Sequence, residues 1–369
     1  MKRFTDLFQI ISVTLVVALL AVGFVLVPDK EISENDNRAL EQMPELTWKT
    51  LLNAGFTSDL AGYMADQFPL RDLFVGTKAY SELAQLKGQN NGVINADGVL
   101  IPVPTNDTSA LLNNAGAIRF FTGAMSVPVT VAALPRVADV YAEKLPSYYP
   151  LEQDEALVTA FREAMADTGA AVPDLITPLS ESNEYYRTDH HYTTDGAYRV
   201  YCLLADTLGY TPYSREEFDV QSVTDDFSGT SMRTSGFYMT DPDEIVLYRY
   251  DGDEDYTVEA DGETISLYDF DKLDETDKYA VFLGGNHARV DITSGGKPKL
   301  LVIRDSFADS LAPFLARHFD LVMIDYRYFR GGAAQIIEQE GIEQVLILQG
   351  INEFCEVKNL SYLAKGVKR

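Results

Sequence analysis

The chain has 369 residues, 46% of them apolar, which is enough for one large or two ordinary domains around a proper core. Its 30 Lys and Arg stand against 56 Asp and Glu, a net charge of −26. So acidic a surface repels phosphate backbones and anionic headgroups and argues against nucleic acid as a partner.

In chain order, the first feature is "LFQIISVTLVVALLAVGFVLV", Leu7 to Val27, which contains no charged residue. At helical rise it spans about 30 Å, the thickness of a bilayer core. Lys2 and Arg3 precede it, so the positive-inside rule keeps the N-terminus in the cytoplasm and sends the rest across. A cleaved signal peptide is the rival reading. Its apolar stretch is normally shorter and ends in a small-x-small site, which "FVLVPDK" does not offer. Residues 1–28 are therefore expected to be a transmembrane signal anchor with the remaining chain extracytoplasmic. A polar tether and a helical segment broken at Pro69 follow over 29–90.

"NNGVINADGVLIPV" then places two apolar runs around Asn95 to Gly98, a hairpin signal. "VPVTVAALP" (127–135) reads as a buried strand, and 152–169 as a helix ending at Gly169. Ala197, Tyr201, Leu204 and Leu208 share one helical face that ends at Gly209. About 215–280 is an acidic insertion in which "EIVLYRY" and "TISLYDF" suggest a small antiparallel elaboration. Its charges read as a solvated surface, because "DGDEDYTVEADGE" lacks the ligand order of a calcium loop. From "KLLVIRDSF" onward, strand, helix, strand, helix and strand alternate, and the strands are continuous apolar runs. That is the pattern of a doubly wound parallel sheet covered on both faces. Residues 91–369 are thus expected to form one α/β domain. The two cysteines, Cys202 and Cys355, are expected to be buried thiols on which the fold does not depend.

Sites in such sheets lie where the strands' carboxyl ends open. Ser306 of "RDSF" stands there, with backbone N–H groups available to a developing oxyanion. A serine needs a base, and the histidines are 190, 191, 287 and 318. His318 lies at the far end of the following helix, roughly 18 Å away, and is excluded. Asp189 and His191 of "RTDHHYT" are two residues apart, so in an extended segment the carboxylate can steady that imidazole while His190 points elsewhere. A helix beginning near Thr194 would put its positive end beside His191 and disfavour the imidazolium. Asn286 of "GGNH" could donate its amide to the same oxyanion. On spacing alone the motif also fits a metal site or a hydrogen-bonded loop without chemistry, and Asp-Ser at a strand end also fits a plain helix cap.

"YYRTDHHYTTDGAY", "FLGGNHARVDI", "LLVIRDSFADSLAPFLARHFDLVMIDYRYF" and "VLILQGINEF", in that order, resemble the DHHW protein family. That family is named for an Asp-His-His-Trp motif and is related to the SGNH-hydrolase-like proteins that O-acetylate alginate and other exopolysaccharides outside the membrane. The likeness runs from about Phe68 to the end and includes the anchor and tether. It implies an SGNH-like α/β fold with Ser306 as nucleophile, His191 as base and Asp189 as orienting acid. Asn286, Tyr326, Arg327, His190, Tyr192 and Arg187 would form the oxyanion and substrate-binding surroundings, with neither metal nor cofactor. Tyr192 replaces the motif tryptophan, and Arg304 stands where the SGNH "GDS" block has glycine.

The resemblance implies a membrane-anchored serine O-acyltransferase or esterase acting on a cell-surface polysaccharide, supplied by a membrane-bound O-acyltransferase partner. Two other readings stay open. One is a non-catalytic glycan binder, compatible with 21 Tyr and 19 Phe. The other is a metal phosphoesterase of the DHH type, for which further aspartates at strand ends are not evident.

Overall fold

The computed structural model describes residues 2–33, 38–48 and 55–367. Residues 34–37 and 49–54, parts of the expected tether and helical segment, lie outside the described residues. The chain divides into two units, Met1–Asn91 with Arg233–Met239, and Gly92–Met232 with Thr240–Arg369.

In the first unit, helix α1 (Lys2–Leu26) contains Thr5–Leu26, long and apolar enough to cross a bilayer, as a membrane anchor or a signal sequence would be. Helices α2 (Gly55–Asp66) and α3 (Arg71–Ala84) are separated at Pro69, which lacks the N–H a continuous helix needs. Leu70 takes the left-handed conformation there, with φ 60°. Phe24 of α1 meets Tyr63 of α2 edge to face at 5.6 Å. Tyr80 of α3 does the same with Phe237 at 6.0 Å, which fastens 233–239 to this unit.

The second unit opens with the hairpin β1 (Val93–Ala96) and β2 (Val99–Pro102). Asp97 and Gly98, with φ of 51° and 81°, make the tight turn that the spacing around Asn95 to Gly98 predicts. Then come α4 (Leu111–Ala124), β3 (Val129–Leu134), α5 (Leu151–Ala166) and α6 (Thr194–Leu208). The acidic stretch follows, with the antiparallel pair β4 (Asp219–Phe227) and β5 (Asp243–Arg249). Next are β6 (Thr257–Ala260), β7 (Glu263–Ile265), β8 (Arg289–Thr293), β9 (Lys299–Arg304), α7 (Phe307–Leu315), β10 (Asp320–Ile324), α8 (Ala333–Glu340) and β11 (Gln344–Gly350).

Seven of these strands form one sheet in the order β7-β6-β8-β10-β9-β11-β3. From β10 to β3 the pairing is parallel, and from β10 outward through β8 and β6 to β7 it is antiparallel. The α/β architecture is as expected, with two refinements. The sheet is mixed, and the β6–β7 hairpin of the acidic insertion extends it at one edge. "TISLYDF" stops being a strand after Ile265.

Alternation along the parallel strands feeds two cores. Leu300, Val302, Leu346 and Leu348 pack on the side of α6 and α7. Leu301, Ile303, Val345 and Ile347 pack on the other side with α4 and α5. Because both faces are covered, the parallel strands keep their polar residues mostly at their ends. From β9 the chain passes through α7 to β10 on one side, and then through α8 to β11 on the other. The crevice at the carboxyl end of β9 is therefore a topological switch point, where open α/β sheets bind ligands.

Candidate active site

Ser306 lies just beyond the end of β9, after Asp305, and immediately precedes the first residue of α7. Its neighbour Asp305 ties this corner down, accepting hydrogen bonds from the Gly350 N–H at the end of β11 (2.7 Å) and from the Phe307 N–H (3.1 Å). Loop 187–193 approaches from before α6. The Tyr186 N–H donates to the His191 carbonyl (3.1 Å), and the Thr193 N–H to that of Glu184 (2.8 Å). Thr193 also caps α6 by accepting from the Gly196 N–H. Asp243 anchors the loop by accepting from the Thr188 hydroxyl (2.6 Å) and N–H (2.8 Å).

These elements bring Asp189, His191 and Ser306 into one hydrogen-bonded chain. Asp189 Oδ1 lies 2.6 Å from His191 Nδ1, and His191 Nε2 lies 2.8 Å from Ser306 Oγ. Asp189 and His191 are 2% and 5% exposed. Burial pushes the Asp189 carboxyl up, but His190, His191 and the Thr230 N–H outweigh it and hold the group well below the ordinary carboxylate range. An ionised Asp189 can only accept, so Nδ1 carries the proton and the Nε2 lone pair takes the Ser306 hydroxyl. The His191 ring is sandwiched between Tyr279, stacked at 4.0 Å and 7°, and the His190 ring at 3.9 Å.

Ser306 opens into a cleft of about 360 Å³ lined by Arg136, His190, Arg327, Asn352 and Glu353, among others. Burial, then the neighbouring His191, pushes the His190 imidazole down to about 4, so it is neutral at pH 7. Arg327 is held by Asp325 at 2.7 Å. Its guanidinium also donates to the Asn286 side chain (3.3 Å), and Asn286 itself is exposed. The other expected residues sit elsewhere. Tyr192 is fully buried, and its hydroxyl donates to the Phe307 carbonyl, so it braces the first turn of α7. Tyr326 is buried and stacks on Tyr362 at 5.6 Å. Arg187 binds Asp243 and the Pro242 carbonyl away from the cleft lining. Of the remaining histidines, His318 takes a hydrogen bond with Tyr201 (2.7 Å), and His287 pairs with the Leu283 carbonyl (3.0 Å).

Several lining residues escaped sequence reasoning. Arg136 and Asn352 follow the ends of β3 and β11, so the strand-end rule that found Ser306 also reaches them. Tyr279, which stacks on His191 and does not line the cleft, lies in a single 3-10 turn, Lys278–Val281, and had no local signal. Arg304, the last residue of β9, is fully buried and reaches Asp309 at 2.8 Å. Burial pushes the Asp309 carboxyl up, to about 7, while Arg304 pulls it down. A buried guanidinium stays charged, so we take this pair as ionised.

Asp189, His190 and His191 also place potential metal-ligand atoms within 4.8 Å of one another. Both ring nitrogens of His191 and both carboxylate oxygens of Asp189 are already engaged, however. A cation ligated by His191 would have to displace either Asp189 or Ser306 from its ring.

Residues 123–284 match the family model described as the SGNH hydrolase-like domain, acetyltransferase AlgX, a span that holds Asp189 and His191 and ends before Ser306. Over 106 residues, 28% of this chain, the sequence is 33% identical to the probable alginate O-acetylase AlgJ of Azotobacter vinelandii, and the match spans 26% of that relative. Among solved structures the chain is similar to a DHHW family protein from Eubacterium siraeum, with TM-score 0.63 and 22% identity over 76% of this chain and 98% of that one. It is also similar to Bacillus cereus PatB1, with TM-score 0.63 and 19% identity over 72% of this chain and 98% of that one. Likeness at that identity is of fold. Residues 123–284 are thus similar to the SGNH hydrolase-like domain of the AlgX model, and the chain shares its fold with the DHHW family protein and PatB1.

Proposed function

We propose that the chain is a membrane-anchored, extracytoplasmic serine O-acyltransferase or esterase, with acetyl as the transferred group and a cell-surface polysaccharide as the acceptor. The observation that carries this reading is the unbroken hydrogen-bonded chain from Asp189 through His191 to Ser306. In the first half-reaction, Ser306 Oγ attacks the carbonyl carbon of an acyl donor while His191 Nε2 takes the hydroxyl proton. The tetrahedral intermediate collapses, and the leaving group departs with the proton from His191. In the second, His191 deprotonates a sugar hydroxyl or water, which attacks the acyl-serine ester and releases Ser306. Among the described residues the Ser306 N–H and the Asn352 side-chain amide make no hydrogen bond, and both residues line the cleft, so these donors suit the developing oxyanion. The name of AlgJ, an alginate O-acetylase, supports acetyl as the group and a polysaccharide as the acceptor. Donor chemistry outside the membrane calls for a membrane-bound O-acyltransferase partner.

The test is hydrolysis of p-nitrophenyl acetate by the full chain in detergent. Ser306→Ala is expected to lower kcat at least about a thousandfold, and turnover at the parent rate would overturn the reading. A solved PatB1 structure carries a sulfonyl adduct. The corresponding experiment here is mass spectrometry after phenylmethylsulfonyl fluoride treatment, which should find the label on Ser306.

A further inference from the structure

We infer that the acyl acceptor is a carboxylate-free sugar, neutral or amino-substituted, and that Glu353 and Glu356 help select it. The inference rests on the acyl-transfer reading above and adds the acceptor's chemical class.

The cleft beside Ser306 has two cations, Arg136 and Arg327, and each is already paired with carboxylates of this chain. Arg136 is held between Asp139 (2.8 Å) and Asp154 (3.2 Å), with all three side chains nearly sealed from solvent. Arg327 is paired with Asp325 at 2.7 Å. The acceptors are in the opposite condition. Glu353 Oε2, Glu356 Oε1 and Asn352 Oδ1 are buried without a hydrogen-bond partner among the described residues, and all three residues line the cleft. Buried acceptors left unpaired are costly, and such groups in a native site call for a ligand that supplies donors. Hydroxyl and ammonium groups do so, whereas a uronate carboxylate brings more acceptors and a negative charge. Burial, then Asp305, pushes the Glu353 carboxyl up to about 7, and Arg327 offsets this only in part. The field of the whole chain, at −26, acts in the same direction against a polyanion.

The experiment uses the full chain in detergent, titrated calorimetrically with three probes of equal length. These are oligomers of N-acetylglucosamine, glucosamine and mannuronate. The first two are expected to bind at least tenfold more tightly than the third. Glu353→Gln should weaken the glucosamine oligomer more than the N-acetylglucosamine oligomer, a split that a merely structural role would not produce. Mannuronate binding as tight as either of the others overturns the inference, and so does the absence of binding by both. The acyl-transfer reading is judged separately by Ser306→Ala on p-nitrophenyl acetate. If that variant is inactive while mannuronate is preferred, only the acceptor class falls.

Discussion

The Asp189 carboxylate divides its oxygens between the His191 ring and the Thr230 N–H, so it both orients the imidazole and is itself oriented. Asp189→Asn keeps the shape but no longer enforces the Nδ1–H tautomer. Roughly a thousand- to ten-thousand-fold loss of kcat is expected, with folding intact by circular dichroism. Gly229 tests the same bond from outside. A methyl group there would lie 2.3 Å from Asp189 Cβ and 2.6 Å from the Thr188 carbonyl, so Gly229→Ala must push the carboxylate off His191. Its kcat is expected to fall with little change in KM. Residues 187–191 form a bend rather than the expected extended segment. Asp189 accepts from both the His191 N–H and its ring, and His190 packs on His191 instead of pointing elsewhere. The Asp-x-His spacing and the strand-end Ser306 were nonetheless legible. Tyr279 was not, because its stacking on His191 arises only when its 3-10 turn is folded against the loop. Tyr279→Phe retains that ring and should stay near parent activity, whereas Tyr279→Ala should lose up to about a hundredfold.

At the scale of elements, β9 and α7 are joined through a charge inside the apolar layer. Arg304 is the last residue of β9, fully enclosed, and its partner Asp309 belongs to the first turn of α7. Asp309→Ala leaves a buried guanidinium uncompensated and should cost about 3–5 kcal/mol, read as a lower urea midpoint with an unchanged slope. The strands from β9 to β11 were readable because two-sided burial leaves no polar residue to interrupt them. The antiparallel strand β8 was not singled out, since Arg289 and Asp291 alternate with its buried Val290 and Ile292 and break the apolar run. The pairing of β6 and β7 with the large sheet is a long-range choice that an acidic local sequence does not announce.

For the whole molecule, opposed titrations set the pH of greatest stability. Asp189 is held low, so its contribution is present above the ordinary carboxylate pKa of about 4 and is lost as pH falls further. Glu353 is pushed up to about 7, so its contribution is fully present below its unfolded value, near 4, and is lost as pH rises through about 7. Thermal unfolding from pH 3 to 9 should therefore give the highest Tm at about pH 4–5, falling at lower pH and again toward pH 7. Cys202 and Cys355 are free thiols, so dithiothreitol should leave that Tm unchanged.

The hairpin β6–β7 places a very short strand, Glu263–Ile265, at the outer border of the seven-stranded sheet. A border of that kind exposes unpaired amides and carbonyls to any passing strand, which is how sheets recruit copies of themselves into aggregates. Here the final strand is three residues long, begins on a glutamate and follows an Asp-Gly turn. Too brief and too negatively charged to template another chain, it lets a large sheet persist without sticking to its neighbours.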